Sequence, residues 1–231
     1  MPARPPARRR VTPATRSVRP AARCSRTARS SRLRDISTAT ARAQCAARRT
    51  RDVRASDWFY SGVKFAYQRG LFQGTAADTF SPDEPMTRAM LVTVLWRMDG
   101  KPAAAGGSSF TDVPRGQWYT EAVAWAAENG VVNGVGGGKF EPDGNVTREQ
   151  IATILYRYAG LRGVPTGGRA DLGSFPDGGA VSGWAYDALS WANAAGLIAG
   201  TREGGMDYLA PQQNATRAQV AVILMRYLGA A

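Results

Sequence analysis

Pro85-Met86-Thr87-Arg88 is the stretch that decides the fold, because it returns as Asn145-Val146-Thr147-Arg148 and again as Asn214-Ala215-Thr216-Arg217. Each copy sets a helix-starting Thr and an Arg ahead of an apolar-periodic segment. The arginines lie 60 and 69 residues apart. A Trp precedes each by a near-constant interval: Trp58 and Trp118 by 30 residues, Trp184 by 33. Self-similarity at such a period marks a repeat protein.

Working outward from the Thr, each copy has the same grammar. An aromatic-x-Asp opener, complete in Phe110-Thr111-Asp112-Val113 and Phe175-Pro176-Asp177, reads Thr50-Arg51-Asp52 in copy one. A first amphipathic helix follows, starting at Trp58, Trp118 or Trp184, with apolar residues at spacings of three, four and seven. A glycine stops it (Gly70, Gly130, Gly196), placed for the left-handed conformation after a helix end. Two apolar residues and a second glycine come next (Gly74, Gly134, Gly200), with room for close approach of backbone or ligand. Then Phe80-Ser-Pro82, Phe140-Glu-Pro142 or Leu209-Ala-Pro211 leads into the second helix.

Thr147-x-x-Gln150 and Thr216-x-x-Gln219 read as capping boxes, whereas Met90 removes half of the box in copy one. Gly100, Gly160 and Gly229 are expected to end these helices. One helix pair of this size cannot bury its apolar face alone, so three must share a core. The class expected is mainly α: three helix-loop-helix repeats, 52–100, 109–160 and 174–229, in a pseudo-threefold bundle with grooves between neighbours.

The charge is unevenly distributed. Of 30 basic and 18 acidic residues, the first 50 positions hold 14 Arg and a single acid, Asp35, so the repeats carry a net charge of only −1. That weakens a nucleic-acid role for the folded part, which needs a basic face. Residues 1–51 read as a disordered Arg-rich tail, from a mis-set start or a frameshift. If genuine, the tail suits a transit peptide or an arm for nucleic acid or another acidic polymer. No secretory signal is visible, and no apolar run approaches the roughly 20 residues of a membrane span. Both cysteines, Cys24 and Cys45, lie in the tail, and the chain has no histidine. His/Cys metal sites, Cys nucleophiles and His-dependent triads are therefore excluded from the repeats. No catalytic set emerges, and no cofactor or metal is expected. Gly136-Gly137-Gly138 lacks the following Lys-Ser/Thr of a phosphate loop and reads as a flexible loop.

The Arg at the first helical position faces the positive end of the helix dipole, which costs about 0.3–1 kcal/mol. Three occurrences call for an anion. It is either the opener Asp52, Asp112 or Asp177, as an internal ion pair, or a ligand at a free helix N-terminus beside the guanidinium. Trp125 and Trp191 sit mid-helix at core spacing. For Trp58, Trp118 and Trp184, packing is the simpler reading and stacking against a sugar ring the alternative.

This grammar, with closing arginines Arg97, Arg157 and Arg226, resembles the S-layer homology domain over residues 52–229. The family's usual Thr-Arg-Ala-Glu stands here as Thr87-Arg-Ala-Met90, Thr147-Arg-Glu-Gln150 and Thr216-Arg-Ala-Gln219. The resemblance implies a three-pronged, monomeric pseudo-trimer on the bacterial cell surface. It also implies non-covalent anchoring through secondary cell-wall polysaccharide, often pyruvylated, and no catalysis. The site it implies comprises Asp52, Trp58, Gly74 and Arg88; Asp112, Trp118, Gly134 and Arg148; and Asp177, Trp184, Gly200 and Arg217. In that picture a ketal carboxylate meets the Arg, the Asp holds the groove and the Trp lies beneath the sugar. The alternatives are binding of nucleic acid or an acidic polymer through the tail, or the anchor of a surface enzyme.

Overall fold

The computed structural model describes residues 50–230, so the Arg-rich segment, apart from Thr50 and Arg51, lies outside the described residues. Every Thr-Arg corner starts a helix, with the Arg as its first residue. The second helices are α2 (Arg88–Met98), α4 (Arg148–Leu161) and α6 (Arg217–Ala230); the first helices are α1 (Tyr60–Gln68), α3 (Thr120–Glu128) and α5 (Tyr186–Ala194). The Thr87, Thr147 and Thr216 hydroxyls each accept the amide three residues on, at 3.3 Å. Gln150 and Gln219 return the bond to the Thr amide, completing both boxes, and Met90 does not. The fold is mainly α, with one short hairpin in repeat three pairing β1 (Thr201–Glu203) with β2 (Met206–Tyr208).

The glycines divide by position. Gly70, Gly130, Gly196 and Gly100 take φ between 66° and 79°, as helix-ending glycines should. Gly160 and Gly229 do not end their helices: α4 runs on to Leu161, with Gly163 (φ 68°) taking that role, and α6 continues to Ala230. The Gly136–Gly138 run is a defined tight turn, closed by Lys139 N donating to Gly136 O at 3.0 Å.

Helix pairing crosses repeat boundaries. α3 packs on α2, α5 on α4, and α1 on α6, which closes the circle. Each helical pair thus combines the second helix of one repeat with the first helix of the next. At the centre, Met86 N donates to Ala215 O (2.8 Å), Ala215 N to Val146 O (2.9 Å) and Val146 N to Met86 O (2.9 Å). This closed three-membered ring satisfies backbone groups where all three side chains are fully buried. The pseudo-threefold axis therefore runs through the residues immediately before the Thr-Arg corners. Leu91, Leu95, Ile151, Leu155, Val220 and Leu224 face one continuous core with the buried Trp125 and Trp191. The apolar pairs Leu71-Phe72, Val131-Val132 and Leu197-Ile198 pin each loop to it.

Repeat one carries the one irregular opener. Phe110 packs on Phe140 with ring centroids 5.5 Å apart, but the equivalent place holds Thr50, whose buried hydroxyl has no partner among the described residues.

Candidate functional site

The first-turn arginines are buried: Arg88 is 7% exposed, and Arg148 and Arg217 are 4% exposed. Each reaches out of its own repeat into the loop of the next. Arg88 Nε donates to Phe140 O (2.7 Å) and Nη2 to Asn133 O (3.2 Å). Arg148 Nε donates to Leu209 O (2.7 Å). Arg217 Nε donates to Phe80 O (2.8 Å) and Nη2 to Gln73 O (2.9 Å), which completes the cycle. Arg88 and Arg217 also lie over the Phe140 and Phe80 rings, both 4.7 Å from the centroid. Leu209 gives Arg148 no such face. Burial lowers the pKa of all three, while nearby acids push back: Glu141 and Asp112 on Arg88, Asp177 on Arg148, and Glu84 and Asp52, with Tyr67, on Arg217.

Two expectations about this corner are overturned. The internal ion pair does not form: no opener Asp is within salt-bridge distance of an Arg among the described residues. Asp52 instead accepts the amides of Phe80 and Ser81, Asp112 those of Phe140 and Glu141, and Asp177 those of Leu209 and Ala210. These carboxylates clamp a loop residue in the left-handed region, with Ser81 and Glu141 at φ 57° and Ala210 at φ 48°. Burial pushes the Asp112 carboxyl up, but the two amide bonds and its own backbone amide, with help from Lys139, outweigh it and hold the pKa below its ordinary value.

Nor is the helix N-terminus free. The first two amides of each second helix donate to carbonyls of a neighbouring repeat: Arg88 and Ala89 to Gly144 and Pro142, Arg148 and Glu149 to Gln213 and Pro211, Arg217 and Ala218 to Glu84 and Pro82. With the third amide bonded to the Thr cap, no donor is left there for a ligand.

The three opening Trp residues behave differently from the packing reading. They sit two residues ahead of their helices and stay exposed: Trp58 67%, Trp118 56%, Trp184 60%. An indole face left in water at three equivalent positions is available for stacking. The second glycines admit backbone: a Cβ at Gly134 would stand 2.5 Å from Lys139 O, and one at Gly74 2.7 Å from Thr79 O. At Gly200, φ is 97°.

A groove of 470 Å³ assembles from all three repeats. Arg88 comes from repeat one; Asn133, Gly134, Gln150, Thr153 and Arg157 come from repeat two; Trp184 comes from repeat three. Its volume is that of a small-ligand site, about 300–1,000 Å³. The structure thus joins Arg88, Gly134 and Trp184, which the sequence had placed in three separate sets, while Asp112 is not among the lining residues and accepts the Phe140 and Glu141 amides. The same cyclic order carries Arg148 to the loop of repeat three and Arg217 to the loop of repeat one, with α1 packed on α6 and α3 on α2. Gln150, Thr153 and Arg157 were missed as groove residues. Their signal was a polar stripe at spacings of three and four on the second helix, one face by helical geometry.

The S-layer homology domain model matches residues 49–89, 109–152 and 174–221. Relatives include an endoglucanase of Bacillus sp. (strain KSM-635), 31% identical over 177 residues, covering 77% of this chain and 18% of that protein. The surface-layer 125 kDa protein of Lysinibacillus sphaericus is 32% identical over 171 residues, 74% of this chain and 14% of that protein. The S-layer protein sap of Bacillus anthracis is 32% identical over 105 residues, 45% of this chain and 13% of that protein. The chain spans less than a fifth of the length of each. Three matched repeats in a cyclic helical fold, with most of the chain inside the matches, make this chain a member of the S-layer homology domain family.

Proposed function

We infer that the folded repeats form a cell-surface anchoring module without catalysis of its own. They hold whatever chain they belong to on the bacterial wall by gripping an acidic secondary cell-wall polysaccharide, of which a pyruvylated glycan is the type that best fits. The observation that carries this reading is the groove joining Arg88, Arg157 and Trp184. It pairs cationic donors with an exposed indole, the combination that an acidic sugar requires: charge for its anion and a flat apolar surface for its ring. Surface-layer and cell-surface proteins among the relatives support the same location. The matched endoglucanase favours a second version, in which the cargo is a surface enzyme. A nucleic-acid role rests on the tail, since the repeats carry a net charge of only −1.

Co-sedimentation of the full chain with purified sacculi, before and after stripping the polysaccharide, tests the reading. The parent is expected in the pellet only with unstripped walls, and Trp184→Ala is expected to shift it towards the supernatant. A parent chain that stays in solution with both preparations sinks the function.

A further inference from the structure

Asn-Gly occurs twice in the chain, at Asn129-Gly130 and Asn133-Gly134, and the fold treats the two pairs differently. With glycine next in sequence, no Cβ shields the peptide nitrogen, so that nitrogen can attack the asparagine side-chain amide. At the first pair both reacting groups are engaged. Asn129 Nδ2 donates to Trp125 O at 2.8 Å, and the Gly130 amide donates to Ala127 O at 3.1 Å, closing the end of α3. Asn133 and Gly134 lie in an exposed loop. Neither the Asn133 side chain nor the Gly134 amide makes a hydrogen bond among the described residues.

One bond does reach this peptide: Arg88 Nη2 donates to Asn133 O at 3.2 Å. That oxygen belongs to the peptide whose nitrogen is Gly134 N. The guanidinium therefore stabilises the negative charge that the peptide takes on when its N–H is lost. The equivalent positions in the other repeats cannot react alike. Arg217 Nη2 holds Gln73 O, ahead of Gly74, at 2.9 Å, but a Gln side chain is one carbon longer and closes a ring far more slowly. Ala199, ahead of Gly200, has no side-chain amide.

We propose that Asn133-Gly134 is a site of spontaneous deamidation, which ages the groove it lines. Solvent base takes the Gly134 amide proton, and the nitrogen attacks Asn133 Cγ. The N–Cγ bond forms and the Cγ–Nδ2 bond breaks, ammonia leaving with a proton from solvent. Water, the only co-reactant, then opens the succinimide at either carbonyl and leaves an aspartate or isoaspartate at position 133. Either product sets a carboxylate in a groove lined by Arg88 and Arg157 and by no acidic side chain. On the anchoring reading above, on which this consequence rests, the new charge repels an acidic glycan and loosens aged protein from the wall.

The test incubates the full chain at mildly alkaline pH and digests it with trypsin. Asn129 and Asn133 fall in one peptide, 116–139, so fragment masses compare them within a single sample. In the folded chain Asn133 is expected to convert on the order of tenfold faster than Asn129, which must first break its hydrogen bonds. In urea the two rates converge. Equal rates in the folded chain, or a faster Asn129, overturn the proposal. Sacculus binding is then measured for the parent, Asn133→Gln and Asn133→Asp, each fresh and after incubation. Asn133→Asp is expected to bind about tenfold more weakly than Asn133→Gln. The parent declines with incubation, whereas Asn133→Gln keeps the binding it starts with. A parent converted at position 133 that binds undiminished overturns the loosening. Fresh parent that fails to bind removes the anchoring function instead, and the mass comparison still decides the modification.

Discussion

An arginine at the start of a helix opposes the dipole by about 0.3–1 kcal/mol. A charged hydrogen bond to a buried carbonyl is worth about 1.5–3 kcal/mol. The magnitudes show why Arg88, Arg148 and Arg217 persist: their bonds to the next repeat outweigh the dipole without any ligand. Replacing them with Ala removes contacts of the fold, so lost glycan binding in such variants would not by itself identify a ligand residue. Trp184 and Arg157 are the cleaner probes. The opener aspartates are structural in the same sense, and Asp112 carries a pH signature. Its folded pKa lies below the ordinary value of about 3.9. Its stabilisation is therefore fully present above about pH 4 and is lost as the pH falls through the folded pKa. Asp112→Asn is expected to lower the melting temperature at neutral pH, with the gap to the parent closing towards pH 2. A gap that stays constant down to acid would contradict the amide-clamp role.

At the scale of elements, the second helices are specified locally. The Thr caps, the Gln return bonds and the three-four apolar spacing can all be read along the chain, and the structure reproduces them at Thr147 and Thr216. Thr147→Ala should cost about 1 kcal/mol, measured as a shift in urea midpoint at unchanged slope. An unaltered midpoint would mean the tertiary bonds to Gln213 and Pro211 suffice to hold the helix start. The first helices are less legible. Their Trp residues keep an apolar rhythm with the helix yet lie outside it. An aromatic at a helix border reads the same from sequence whether it turns inward or outward.

Across the whole molecule, cyclic pairing makes the three repeats interdependent. α1 has its partner in α6, some 150 residues further along the chain, and the central ring needs Met86, Val146 and Ala215 together. Removing residues 215–231 strips α1 of its packing partner and opens the ring. Such a truncation is expected to abolish the cooperative urea transition of the full chain, because the apolar faces left exposed belong to all three repeats. A truncated chain that still unfolds in one sharp transition would show that two repeats suffice. The groove shares this dependence, drawing Arg88, Gln150 and Trp184 from successive repeats.

The sequence by itself determined the number of repeats, the capped starts of the second helices and the glycines that end most of the other segments. These are local features, set by hydrogen bonds and backbone freedom within a few residues of one another. It also singled out Arg88, Gly134 and Trp184, but grouped each with the neighbours in its own repeat. Only the tertiary structure decided which residues meet, because the helices pair across repeat boundaries and each side chain answers to a different repeat. It also decided what each charge does. The aspartates and first-turn arginines hold backbone groups that local sequence leaves unsatisfied, and Arg157 is left facing the groove.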